Sequence, residues 1–102
     1  MIHVLAKIQL ASGKRADFLV EFHKLVPLVR AEAGCVEYGP AVDATTDIAA
    51  QKPVGEETVM VIEKWENLDA LKVHLQAEHM LAYRQRVRDL VQGTTLHILT
   101  SA

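Results

Sequence analysis

Cysteine, aromatic residues and long apolar runs are all scarce in this chain. Cys35 is the one cysteine, so no internal disulfide can form, which fits a reducing compartment. It lies beside Gly34 with no basic neighbour and reads as a packed thiol rather than a nucleophile. The longest uncharged apolar runs are Val59-Met60-Val61-Ile62 and Leu96-His97-Ile98-Leu99. Both fall far short of the roughly 20 residues that span a bilayer. The first residues show no charged-then-apolar leader pattern, so a cytoplasmic protein with no membrane association is expected. Positive charge is not in excess either: 11 lysines and arginines face 13 acids. The basic footprint of a nucleic-acid binder is therefore missing. Aromatic residues number five: Phe18, Phe22, Tyr38, Trp65 and Tyr83. The core must be mainly aliphatic, and the place of each aromatic is informative.

What is present is apolar bulk. Half of the 102 residues are apolar and about a quarter are charged, the balance of a globular protein. The length suggests one domain over residues 1–102. Ile2 to Leu10 alternates, with Ile2, Val4, Ala6, Ile8 and Leu10 on one face, and reads as a strand. Lys14 to about Ala33 reads as a helix on the stripe Ala16, Leu19, Phe22, Val26 and Val29. Pro27 should kink its last turns and Gly34 should stop it. Cys35 to Val42 reads as a strand interrupted at Gly39-Pro40, where a proline favours a bulge or an edge. Residues 43–57 read as a loop or loose hairpin. Thr58 to Trp65 is the strongest strand, apolar on both faces and so expected to be covered on both. Asn67 caps a helix with Leu68, Leu71 and Leu75 on its stripe. The step from Leu75 to Met80 breaks the helical period, so a third helix is read from about Met80 to Val91. Gly93 ends it, and Thr94 to Thr100 is a final strand.

This order, β-α-β-β-α-α-β, is the α+β, ferredoxin-like split βαβ arrangement: a four-stranded antiparallel sheet with helices on one face. Yet Leu5, Leu99 and the middle of the third strand put apolar side chains on the other face as well. A large uncovered apolar face is rare on a monomer. A homodimer packed sheet against sheet is expected.

Two segments carry a family resemblance. Glu32-Ala33-Gly34-Cys35-Val36-Glu37-Tyr38 resembles the E-x-G-C-x-x-Y segment of the antibiotic biosynthesis monooxygenase family. Glu63-Lys64-Trp65-Glu66, followed by Ala70-Leu71, His74-Leu75 and His79-Met80, resembles that family's E-x-W-E and A-L-x-x-H-L-x-x-x-H-M stretch. Within it the chain looks most similar to bacterial quinol monooxygenases, through Tyr38 to Asp43 and the Val26-Pro27 pair. The resemblance spans essentially the whole chain. It implies a dimeric α+β barrel, with a pocket in each subunit between sheet and helices. It also implies oxygenation of a quinol or phenolic substrate by O2 with no metal or flavin. The haem-degrading branch carries an asparagine, a tryptophan and a histidine where this chain has Ala6, His74 and Arg84, so haem degradation is not expected.

Cofactor-free oxygenation needs a base to form the electron-rich phenolate and a dry pocket to hold the radical pair. His74 lies at the edge of an apolar stripe and is the candidate base; a boundary histidine with one structural hydrogen bond is the alternative. Trp65 is a core aromatic that can also form a pocket wall. Tyr38 can orient a substrate oxygen, and Tyr83 can close the pocket or merely pack. His79 either staples the helix break or lines the pocket. His74 and His79 are five apart, a poor spacing for two metal ligands on one helix face, and no metal is expected. His3, His23 and His97 read as structural or exposed. Two other functions remain open on these residues. One is a small-molecule isomerase with Arg84 or Arg88 as anion partner. The other is a non-catalytic ligand-binding stress-response protein.

Overall fold

The computed structural model describes residues 1–102. Its elements are β1 (Ile2–Leu10), α1 (Arg15–Arg30), β2 (Cys35–Ala41), β3 (Thr58–Trp65), α2 (Leu68–Leu75), α3 (Glu78–Val87) and β4 (Val91–Thr100). The strands form one antiparallel sheet in the order β2-β3-β1-β4. This is the α+β, ferredoxin-like fold.

Alternation decides which side chains meet the helices. On β1, Val4, Ala6, Ile8 and Leu10 are buried, and on β3 Val59, Val61, Glu63 and Trp65 are buried beside them. Helix α1 supplies Phe18, Phe22, Leu25, Val26 and Val29 to the same core. The opposite sheet face has no helix on it. Ile62 is 40% exposed there and Leu99 47%, so the expected cover over the second face of β3 is not supplied within the chain.

Three boundaries differ from the sequence reading. Helix α1 ends at Arg30 rather than near Ala33. The chain then turns through Glu32 to Gly34, which takes a φ of +81°. Gly34 is the third residue of a turn closed by the Cys35 N–H on the Glu32 carbonyl at 3.2 Å, a left-handed position that glycine takes without the Cβ penalty. The early end takes Glu32 off the helix and lets it face α2. Strand β2 is not interrupted at Gly39-Pro40, because pairing with β3 runs on to Ala41. An edge strand tolerates the missing proline N–H. The irregularity falls instead between Cys35 and Glu37, where Val36 is the extra residue of a bulge. Helix α3 begins at Glu78 and ends at Val87, and β4 starts at Val91, earlier than the pattern of Thr94 to Thr100 suggests.

The 43–57 connection is tied at its base. The Asp43 carboxylate accepts from the N–H of Val54 at 2.8 Å and of Gly55 at 2.9 Å. Both bonds hold its pKa below the ordinary carboxylate value.

Candidate active site

Helix α2 has only eight residues, too few to be stable alone. The Asn67 side chain caps it by accepting the Ala70 N–H at 2.9 Å. Its inner face carries Leu71 and, one turn on, His74, which are 2% and 1% exposed. Close packing at Gly34 sets the depth of the helix. A Cβ on Gly34 would lie 2.6 Å from the Ala70 Cβ, so only glycine lets the turn and α2 approach this closely. The Glu66 N–H donates to the Gly34 carbonyl at 2.9 Å from the other side. The turn before β2 and the start of α2 are thereby locked together, and Glu32 is brought against His74.

The His74 Nδ1 lies 2.9 Å from Glu32 Oε2. A carboxylate only accepts, so Nδ1–H donates and the Nε2 lone pair is left free. The same carboxylate oxygen is 2.7 Å from His79 Nε2. The His74 ring packs at 4.6 Å from the Trp65 ring and 5.4 Å from Tyr38, centroid to centroid. Burial lowers the His74 pKa below 6.5, and the Glu32 hydrogen bond opposes that shift. The ring is therefore neutral at neutral pH.

A second carboxyl group was not singled out by sequence. Glu63 sits on the inner face of β3, 6% exposed. The Trp65 Nε1–H donates to its Oε1 at 2.9 Å. Burial pushes its pKa up from 4.5 to about 7; the Trp65 hydrogen bond opposes this and the negative charge of Glu32 adds to it. Burial also raises the phenol pKa of Tyr38 and of Tyr83, so both keep their protons.

These groups surround one cavity of about 420 Å³ between the sheet and the helices, a volume suited to a small organic ligand. Its floor is Ala6, Ile8 and Val61, and its helical wall includes Phe22, Met80 and Val87. The polar members are His74, Glu63, Tyr38, Tyr83 and Thr94, with Arg84 and Arg88 where it meets solvent. The His74 Nε2, Glu63 Oε2 and both phenol oxygens have no partner within the chain. No side-chain polar atom is both sealed from solvent and unpartnered, so these four atoms open onto the cavity. A second hollow of about 490 Å³ lies between Gln9, Val54 to Thr58 and Gln92. It is shallow and polar, and none of the candidate site residues borders it.

Of the expected site residues, His74, Tyr38 and Tyr83 share the cavity wall. Two expectations need correction. Trp65 is fully buried and lies behind His74 and Glu63, so it backs the wall instead of forming it. His79 turns to Glu32 and does not border the cavity, because the helix break sends it to the outer side of the His74 ring. Glu32 and Glu63 are the site members that sequence reasoning missed. The signal for Glu63 was an acid inside the buried alternation Val59, Val61, Trp65.

Residues 1–86 match the family described as antibiotic biosynthesis monooxygenase. The chain belongs to that family. It is 36% identical over 101 residues to the Probable quinol monooxygenase YgiN of Escherichia coli, covering 97% of this chain and 96% of that one. The crystal structure of PA3566 from Pseudomonas aeruginosa superposes with a TM-score of 0.81 at 27% identity, covering 99% and 93% of the two chains. A crystal structure described as antibiotic biosynthesis monooxygenase gives a TM-score of 0.82 at 21% identity, covering 100% and 99%. The family match and the YgiN relative support a monooxygenase-type function acting on a small molecule, and the two solved structures show the shared fold. No helix of the chain is long and apolar enough to cross a membrane.

Proposed function

We propose that this family member is a cofactor-independent, cytoplasmic monooxygenase of quinols or related phenolic and polycyclic aromatic compounds, with His74 as the catalytic base. One observation carries the reading: the His74 Nε2 opens onto an apolar cavity while Glu32 holds Nδ1. A neutral imidazole fixed in this tautomer can take the proton of a bound hydroquinone. The quinolate then passes an electron to O2, and superoxide and semiquinone recombine at a ring carbon. The aliphatic and aromatic walls keep water from the radical pair. Tyr38 and Tyr83 offer O–H donors to substrate oxygens. Trp65 keeps the His74 ring in place, and His79 helps to hold Glu32.

Oxygen uptake tests the reading. Wild type should consume O2 with a reduced naphthoquinone without added metal or flavin. His74→Ala should fall to the rate of buffer.

A second reading rests on Arg84 and Arg88 at the cavity. They suit an anionic ligand, and the same histidine could move a proton on such a ligand without oxygen. A full rate under argon would select this isomerase reading. Tight quinone binding without turnover would instead mark a ligand-binding stress-response protein.

The working unit is inferred to be a homodimer. Leu5, Ile62 and Leu99 leave the helix-free sheet face apolar, and a second copy of that face covers it.

A further inference from the structure

Glu63 is the cavity group that the proposed reaction leaves unused. Recombination of superoxide with the semiquinone gives a ring peroxide anion, which takes back the quinol proton held by His74 to become a hydroperoxide and leaves the imidazole neutral again. Collapse of that hydroperoxide to a carbonyl breaks a C–H and an O–O bond and forms C=O. The base takes the C–H proton, and the distal oxygen leaves as hydroxide unless an acid protonates it. The net change is quinol plus O2 to hydroxyquinone plus water. We propose that Glu63 is a second catalytic residue, the acid that protonates the departing oxygen as the O–O bond breaks. This rests on the quinol monooxygenase reading. The proton His74 takes from the ring carbon restores Glu63 through solvent.

The geometry supports a held acid. Glu63 Oε1 is fixed by the Trp65 indole N–H, and Oε2 has no partner and opens onto the cavity that His74 also borders. One indole therefore positions both groups, since its ring lies against His74. Tyr38 sits directly across from Glu63 on β2. The surroundings favour the protonated form. Of the other elements, β2 brings Tyr38 and Cys35, the turn brings Glu32, and α2 brings His74. Helix α3 lines the same cavity with Tyr83 and Arg84, and its C-cap residue Arg88 follows, while His79 is engaged by Glu32. The inner face of β1 presents only Val4, Ala6 and Ile8 beside it. Arg30 of α1 is engaged by the Tyr38 carbonyl. Burial and the Glu32 charge place the Glu63 pKa at about 7, close to the working pH, where a general acid is most effective.

Trp65 is the only tryptophan, so it reports on its own hydrogen-bond acceptor. In wild type its fluorescence should change in a step near pH 7. Glu63→Gln should abolish that step and leave only the change at lower pH that protonation of the neighbouring His74 produces. With a reduced naphthoquinone and O2, Glu63→Gln should lower kcat about 100-fold with little change in KM. It should also lose the fall in kcat above neutral pH, and Glu63→Asp should restore such a fall at a shifted pH. Wild-type kcat and an unchanged pH profile in Glu63→Gln, with His74→Ala inactive, would overturn this proposal and leave the monooxygenase reading standing. Wild type that consumes no oxygen above buffer would overturn both.

Discussion

On β3, neighbouring residues meet opposite surroundings. Val59, Val61, Glu63 and Trp65 face the helices and are buried, while Ile62 between them is exposed. The same division runs along β1, whereas on the edge strand β4 the helix-side Leu96 and Ile98 are about as exposed as Leu99 on the other face. All five aromatic residues lie on the helix side in one connected cluster that includes His74. The opposite face carries Leu5, Ile62 and Leu99 interspersed with His3, Lys7 and His97, and no aromatic. The difference is one of chemistry as well as burial. Desolvation shifts Glu63, His74, Tyr38 and Tyr83 on the helix side, which is how active sites obtain poised acids and bases. The helix-free face offers exposed apolar area. It suits association, and the helix side suits reaction.

Substitutions along this divide should separate the two faces. Trp65→Ala should have the largest effect, costing about 3–5 kcal/mol of stability by urea unfolding. It opens a hole behind His74 and leaves Glu63 without its N–H donor.

Next is pH. The Glu63 pKa is raised on folding from 4.5 to about 7. Below pH 4.5 both states are protonated and nothing is lost. Between pH 4.5 and 7 the folded chain holds the extra proton, so stability falls as pH rises and levels off above 7. The loss is on the order of 3 kcal/mol. Glu63→Gln should remove it, which the difference between wild-type and variant unfolding across pH 4–8 would show. His74 acts in the opposite sense, since its lowered pKa removes stability as pH falls below 6.5.

Gly34→Ala combines a positive φ with a Cβ pressed on Ala70 and should cost about 1–3 kcal/mol. It should also weaken the Glu32–His74 contact, and with it activity. Ile62→Lys, on the other face, should change the stability of the isolated chain by no more than about 0.5 kcal/mol. It should still halve the mass seen by light scattering at micromolar concentration. A wild type that is already monomeric there would break the assignment of that face to a second copy.

Much of the fold is legible in the residues. The periods of β1, β3 and α1 are strong, Asn67 is a capping residue in the expected place, and the missing helical step at Leu75 to Met80 marks a real break. His74 was legible as a histidine on an apolar stripe. The pairing that makes it useful was not, because Glu32 reaches it across 42 residues through the Gly34–Ala70 approach. Nor could spacing show that Trp65 stands behind the wall or that His79 turns away. Both depend on how deeply a two-turn helix is drawn in, which is a matter of packing.

The most direct test of the central claim is oxygen consumption with a reduced naphthoquinone, comparing wild type with His74→Ala in metal-chelated, flavin-free buffer. Uptake by wild type, lost by at least 100-fold in the variant, is the expected result. Equal rates for wild type, variant and buffer would contradict it.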